Sequence, residues 1–237
     1  MIEMSRRLAW QFRAVLRKAV PLGAGRVPRP PLVLHASEEG LRIRAQQPDV
    51  AVEYQHSARL PDETLALPGE ALDDFAGARD TVVTLVKVGE DNVQARWEDR
   101  GEPQVRDYTA IDLTKLPPFP ELPEKLVTLE PDFLQALHEA SRTAAREGVR
   151  LALQKVQLRG GRGDVIGTDG RQLLIQGGFA LPWQEDLLVP AVTVFGCPEL
   201  PRDAPVAVGR TASHLCVRVR SVDHPPYHRQ GRPVPAS

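Results

Sequence analysis

Between residues 5 and 20 the apolar positions fall three and four apart, and from residue 31 onward they shift to every second position. The first spacing predicts a helix and the second predicts strands. Residues 31–36 and 41–45 read as a strand pair turning at Glu38, Glu39 and Gly40. A strand is expected over 50–60, a short strand and helix over 65–68 and 70–78, and further strands over 81–88, 92–97 and 104–108. The same order then returns. A strand at 125–129 precedes a helix opened by Glu130, Pro131 and Asp132, where acidic residues and proline suit a first turn. Strands follow at 151–159, 165–168, 172–176 and 186–190, then a short helix over 191–197 and strands at 206–209 and 214–221. The plan is a duplicated α+β unit, matched in order and spacing with no residue-level repeat.

Proline marks the division. Pro117, Pro118, Pro120 and Pro123 lie within eight residues, where fixed φ angles and missing N–H donors stop both helix and central strand. The expected organisation is a first domain over 1–118, a linker over 119–124, a second domain over 125–223 and a proline-rich tail over 224–237.

Helix 5–20 carries the most informative charge pattern. At 100° per residue, Leu8, Phe12, Val15, Leu16 and Ala19 share one side, Arg6, Arg13 and Arg17 the opposite side, and Arg7 and Lys18 its flank. Arg26 and Arg29 extend this basic surface. Such a face is either an ordinary solvated one or a surface for phosphates, whose neutralisation releases counterions and makes binding salt-dependent. Trp10 lies beside the arginines as an interface or packing residue. The whole chain of 237 residues is nearly neutral, with 30 basic and 31 acidic side chains, so affinity for nucleic acid must come from where charge sits.

Other chemistry has little foothold. Gly160, Gly161 and Gly163 suit a hairpin turn, without the Walker lysine and serine or a nucleophile elbow. The six histidines show no ligand spacing, and Asp169-Gly170 reads as a tight turn. Cys197 and Cys216 are too few for a disulfide framework and read as buried apolar residues in a reducing, cytoplasmic setting. No stretch approaches a membrane span and no signal-peptide pattern opens the chain. Neither enzyme nor cofactor is expected.

Four stretches in this order carry a resemblance: residues 13–51, with Leu41 to Arg44 and Pro48 to Ala51; 65–72; Phe119 to Pro123; and Val149 to Leu153, with its arginine, followed by Ile166 to Leu174 with Thr168, Asp169 and Gly170. Leu188 to Pro190 completes the series. Together they resemble the bacterial DNA polymerase III β subunit, a DNA sliding clamp. The resemblance implies duplicated DNA-clamp domains, each with two helices packed on antiparallel sheets. It implies double-stranded DNA and DNA polymerase or repair proteins as partners, the latter through short peptide motifs. Two domains per chain imply a homo-oligomer, a trimer where six domains make a ring. The DNA-facing candidates are Arg6, Arg7, Arg13, Arg17, Lys18, Arg26, Arg29, Arg142 and Arg146. The peptide-pocket positions are Leu153, Thr168, Gly170, Arg171, Gln172 and Leu173. Only the first helix is plainly basic, since the segment 70–78 carries Glu70, Asp73 and Asp74 and the segment 191–197 has no basic residue. A protein-binding scaffold of the same fold, not encircling DNA, therefore stands as the alternative.

Overall fold

The computed structural model describes residues 1–19, 29–146 and 151–220. The first unit runs β1 (Ile2–Ser5), α1 (Arg6–Ala19), β2 (Leu32–Ser37), β3 (Gly40–Gln46), β4 (Ala51–His56), β5 (Glu63–Leu67), α2 (Ala71–Phe75), β6 (Val82–Val88), β7 (Asn92–Asp99) and β8 (Glu102–Thr109). The second runs β9 (Val127–Leu129), α3 (Asp132–Thr143), β10 (Lys155–Arg159), β11 (Asp164–Thr168), β12 (Leu173–Gln176), β13 (Asp186–Pro190), β14 (Val206–Arg210) and β15 (Leu215–Val219), with a 3-10 turn at Thr193–Gly196 before β14.

The sheets show the duplication directly. Order β4-β3-β2-β5 in the first unit returns as β12-β11-β10-β13 in the second, and order β1-β6-β7-β8 returns as β9-β14-β15. All pairings are antiparallel. Among the described residues the last sheet therefore has three strands where its counterpart has four. The helix expected over 191–197 is one turn of 3-10 helix, and that over 70–78 contracts to the five residues of α2.

Alternation explains why each sheet has one buried face. In β2, Leu32, Leu34 and Ala36 point inward between half-buried neighbours, and β3 sends Leu41, Ile43 and Ala45 to meet them. α1 closes this core with Leu8, Phe12 and Leu16, while Phe75 and Trp97 meet edge to face at 6.4 Å. In the second unit Phe133, Leu137 and Ala140 of α3 pack on Val156, Leu158 and Val165, and Phe133 meets Phe179 edge-on at 5.1 Å. Ser5 starts α1 as its N-cap, its Oγ accepting from the Leu8 N–H at 3.1 Å. At the other end Arg17 and Lys18 lie where the helix dipole favours cations.

The glycine cluster before β11 is a turn. Gly163 has φ of 68° and donates its N–H to the Arg159 carbonyl at 2.8 Å, closing the β10–β11 hairpin. Between the units, residues 116–126 contain no regular element, and the Arg44 guanidinium sits 4.7 Å above the Phe119 ring.

Candidate nucleic-acid interface and partner cleft

α1 turns its apolar side to the core and leaves Arg7, Trp10 and Arg17 exposed, with Arg13 and Lys18 half-buried beside them. Trp10, 38% exposed, lies one turn from Arg7 and about two turns from Arg17, in the middle of the outward face. Arg6 departs from the sequence expectation. Its side chain is buried, Nε donating to the Phe75 carbonyl at 3.1 Å and Nη1 to the Glu98 carbonyl at 3.0 Å and Asp99 Oδ1 at 2.7 Å. The guanidinium crosses from the helix start to α2 and the end of β7, so Arg6 holds the fold together and faces no ligand.

A cleft of about 220 Å³ opens beside α1, lined by Arg13, Arg17 and Arg29 together with Leu16, Gln47 and Leu72. Asp73 of α2 sits at its rim and pairs with both Arg13, at 3.4 Å, and Arg29. Two of the three arginines are thus partly neutralised by one carboxylate. Arg26 lies outside the described residues.

The second unit brings Arg142, in the last turn of α3, and the exposed Arg146 to a larger cleft of about 520 Å³. Its other walls include Glu139, Asp169, Gln172 and Leu174. Glu139 makes no ion pair with either arginine among the described residues, and its carboxylate accepts from Gln135 and Gln176, each at 2.6 Å. Those two bonds hold its pKa below the usual carboxylate value.

The 168–173 turn forms the far wall of this cleft and is held by its own polar groups. The Thr168 hydroxyl donates to the Gln172 carbonyl at 2.6 Å and accepts from the Gly170 N–H at 3.0 Å. Asp169 Oδ1 accepts the N–H groups of Gln172 and Arg171 at 2.7 and 2.8 Å, which lowers its pKa. Gly170, at φ 88°, rests against Leu153. Gly170, Arg171, Gln172 and Leu173 are exposed, while Leu153 and Thr168 are half-buried.

Sequence reasoning missed two exposed apolar residues, Ile175 and Leu188, at the two edges of this sheet's outer face. Ile175 pairs with Ile166, Ile166 with Gln157 and Gln157 with Leu188, so these side chains stand abreast. Ile175 and Leu188 are more than half exposed, as is Leu173 one pleat away. The signal lay in Leu173-Leu174-Ile175, whose alternation half-buries the middle residue and bares its neighbours.

Cys197 is held in its protonated form. The Cys197 thiol donates to Glu199 Oε2 at 2.6 Å, and burial together with that carboxylate pushes its pKa up to about 11. Among the described residues no three His, Cys, Asp or Glu side chains group as metal ligands, and no helix is long and apolar enough to cross a membrane.

No known protein-family model matches the chain, and no curated protein matches its sequence. Solved structures do match its fold. The DNA polymerase III β subunit of Pseudomonas aeruginosa superposes with a TM-score of 0.69 at 17% identity, over 92% of this chain and 62% of that one. The fold is that of the DNA sliding clamps. The β subunit of the Streptococcus pyogenes DNA polymerase agrees at TM-score 0.69 and 12% identity, over 94% and 65%. The Helicobacter pylori β clamp bound to a DNA ligase peptide agrees at 0.63 and 15%, over 95% and 68%. The chain thus spans a little over three fifths of the length of the first two clamps, which fits two clamp units.

Proposed function

We propose that this protein is a non-catalytic, cytoplasmic DNA tether of the sliding-clamp type, holding duplex DNA against α1 and partner peptides at the 168–173 turn. One observation carries the reading. Arg7, Arg13, Arg17 and Lys18 occupy the solvent side of α1 with Arg29 alongside, while the other side of the helix is sealed into the core. A surface of this kind binds by neutralising phosphates, so affinity falls steeply with salt. Arg142 and Arg146 would add to it from the second unit. Leu153 and Leu173 would receive the apolar anchors of a partner peptide, set around the turn built by Thr168 and Gly170, with Arg171 and Gln172 at its rim.

Ring closure would use two of the open sheet edges. β8 and β12 end their sheets in different units, and β8 is exposed along nearly its whole length. Edge-to-edge joining of β8 to the next copy's β12 would link copies through main-chain hydrogen bonds, three copies giving six units. Binding of a duplex across a salt series tests the reading. Wild type should bind, and Arg13→Ala with Arg17→Ala should abolish binding at moderate salt or reduce the logarithmic salt slope by about two. Absence of duplex binding at low salt would refute it.

A second reading, a scaffold of the same fold that binds proteins without DNA, draws on Asp73. That carboxylate already occupies Arg13 and Arg29. Peptide binding without duplex binding would select the scaffold.

A further inference from the structure

Of the three tryptophans in the chain, Trp97 and Trp183 belong to the two cores and only Trp10 reaches solvent. An indole left partly in water forgoes the large gain of burying it. Its place on α1 is the centre of the outward face. At 100° per residue, Arg17 lies about 20° from it, Ala14 about 40°, Arg7 and Arg13 about 60° on either side, and Lys18 about 80°. Four cations flank one ring. Ala14, one turn on, brings only a methyl group, and among the described residues no aromatic or cation–π contact involves the indole.

The flanking cations are open to a ligand. Among the described residues Arg7 and Arg17 make no ion pair. Arg13 and Arg17 also line the cleft of about 220 Å³ beside the helix, which continues the basic face toward Arg29. Guanidinium groups supply the donors a phosphate needs, whereas an indole offers a single N–H. Its larger offering is a flat face, and the flat group that accompanies phosphates along a chain is a nucleobase. In a duplex each base is paired and stacked on its neighbours, out of reach of a ring standing among phosphate-binding arginines. Unpaired bases are free to lie on such a ring, and aromatic residues interleaved with cations are how single strands are held without regard to sequence.

We propose that α1 binds single-stranded nucleic acid, with one unpaired base stacked on Trp10 and the flanking phosphates on Arg7, Arg13 and Arg17. This deepens the DNA reading and rests on its assignment of α1 as the phosphate-facing surface. Arg7 and Arg17 are about 15 Å apart along the helix axis, so a strand held by both passes the ring between them. The partner this selects is DNA with an unpaired stretch, such as a gap or a junction.

A short oligothymidylate is the probe, titrated into the full chain at low salt and read by tryptophan emission. With Trp97 and Trp183 buried, quenching on binding reports Trp10. Trp10→Ala should abolish the quenching and weaken affinity about tenfold, while Trp10→Phe restores most of the affinity. The salt slope should match wild type in both variants, because no phosphate contact is lost. An abasic strand of the same length carries the same phosphates without bases. Wild type should bind it about tenfold more weakly than oligothymidylate, and Trp10→Ala should bind the two alike. The wild-type comparison decides the matter even if a variant folds poorly. Equal wild-type affinity for the two strands, or binding without quenching, overturns the stacking role. Emission that responds to protein concentration and not to oligonucleotide makes Trp10 a contact between copies, and overturns it as well. The DNA reading fails separately. If oligothymidylate binds and quenches while no duplex binds, the duplex tether falls and the single-strand surface stands. If duplex binds while abasic and base-bearing strands bind alike, the phosphate surface stands and stacking falls.

Discussion

Arg6 Nη1 meets Asp99 Oδ1 at 2.7 Å across 93 residues of chain, and the same guanidinium serves the carbonyls of Phe75 and Glu98. A buried cation that donates to three acceptors is costly to remove, because those acceptors are left without donors. Arg6→Ala should lower the stability of the first unit by about 3 kcal/mol, read by urea unfolding. Its salt slope for DNA should equal that of wild type, because Arg6 does not reach the surface.

Asp73 restrains the basic face. Asp73→Asn removes the negative charge between Arg13 and Arg29 while keeping the side-chain shape. Duplex affinity at low salt should rise several-fold, about 1 kcal/mol for releasing two exposed pairs. Fluorescence anisotropy would show it, and weaker binding would exclude this role.

Gly163→Ala tests the β10–β11 turn. At φ 68° an alanine is strained, and its Cβ would run into the backbone of Phe179. A loss of about 3 kcal/mol is expected, measured by thermal or urea denaturation. Gly101→Ala has a comparable φ but open space around it, so it should cost clearly less.

Leu173 is 65% exposed, so Leu173→Ser should leave the melting temperature almost unchanged. Affinity for a clamp-binding peptide should nevertheless fall at least several-fold, measurable by the same anisotropy method. Equal affinity would move the peptide site away from this turn.

His138 makes stability depend on pH. Its folded pKa lies below the ordinary 6.5, so between the two values the unfolded chain holds more protons. Stability is therefore full above about pH 6.5 and declines as pH falls through that value toward the folded one. Asp99, Asp112 and Asp169 have lowered pKa values as well, and their contribution is lost only at more acidic pH. Urea midpoints from pH 8 to 4 should thus fall in two steps, and His138→Gln should remove the upper one alone.

Local pattern made most elements legible. The three-and-four spacing from Leu8 to Ala19 marked α1 to within a residue at its start, and the alternation of Leu32, Leu34 and Ala36 marked β2 and its inward face. β1 escaped because four residues alternate too briefly to signal a strand, and its partner β6 begins at Val82. Arg6 looked like a member of the basic stripe because helical phase says where a side chain starts, not how far it reaches. Its acceptors lie in α2 and at the end of β7, set by tertiary packing alone. The same limit hid the docking of the 3-10 turn between α1 and α3, which lays Gly196 against the His138 ring. The acidic segment over 70–78 was visible, whereas the pairing of Asp73 with Arg13 and Arg29 required the fold.

β8 and β12 are different strands in different units, so a joint between them has no two-fold axis and gives each copy a front and a back. Copies linked this way all circulate in the same sense, like arrows set head to tail. In a closed circle of them every 168–173 turn would lie on the same side, and a partner docking there would approach DNA from one direction only. Polarity of this kind would arise from which two edges join, before any contact with DNA is made.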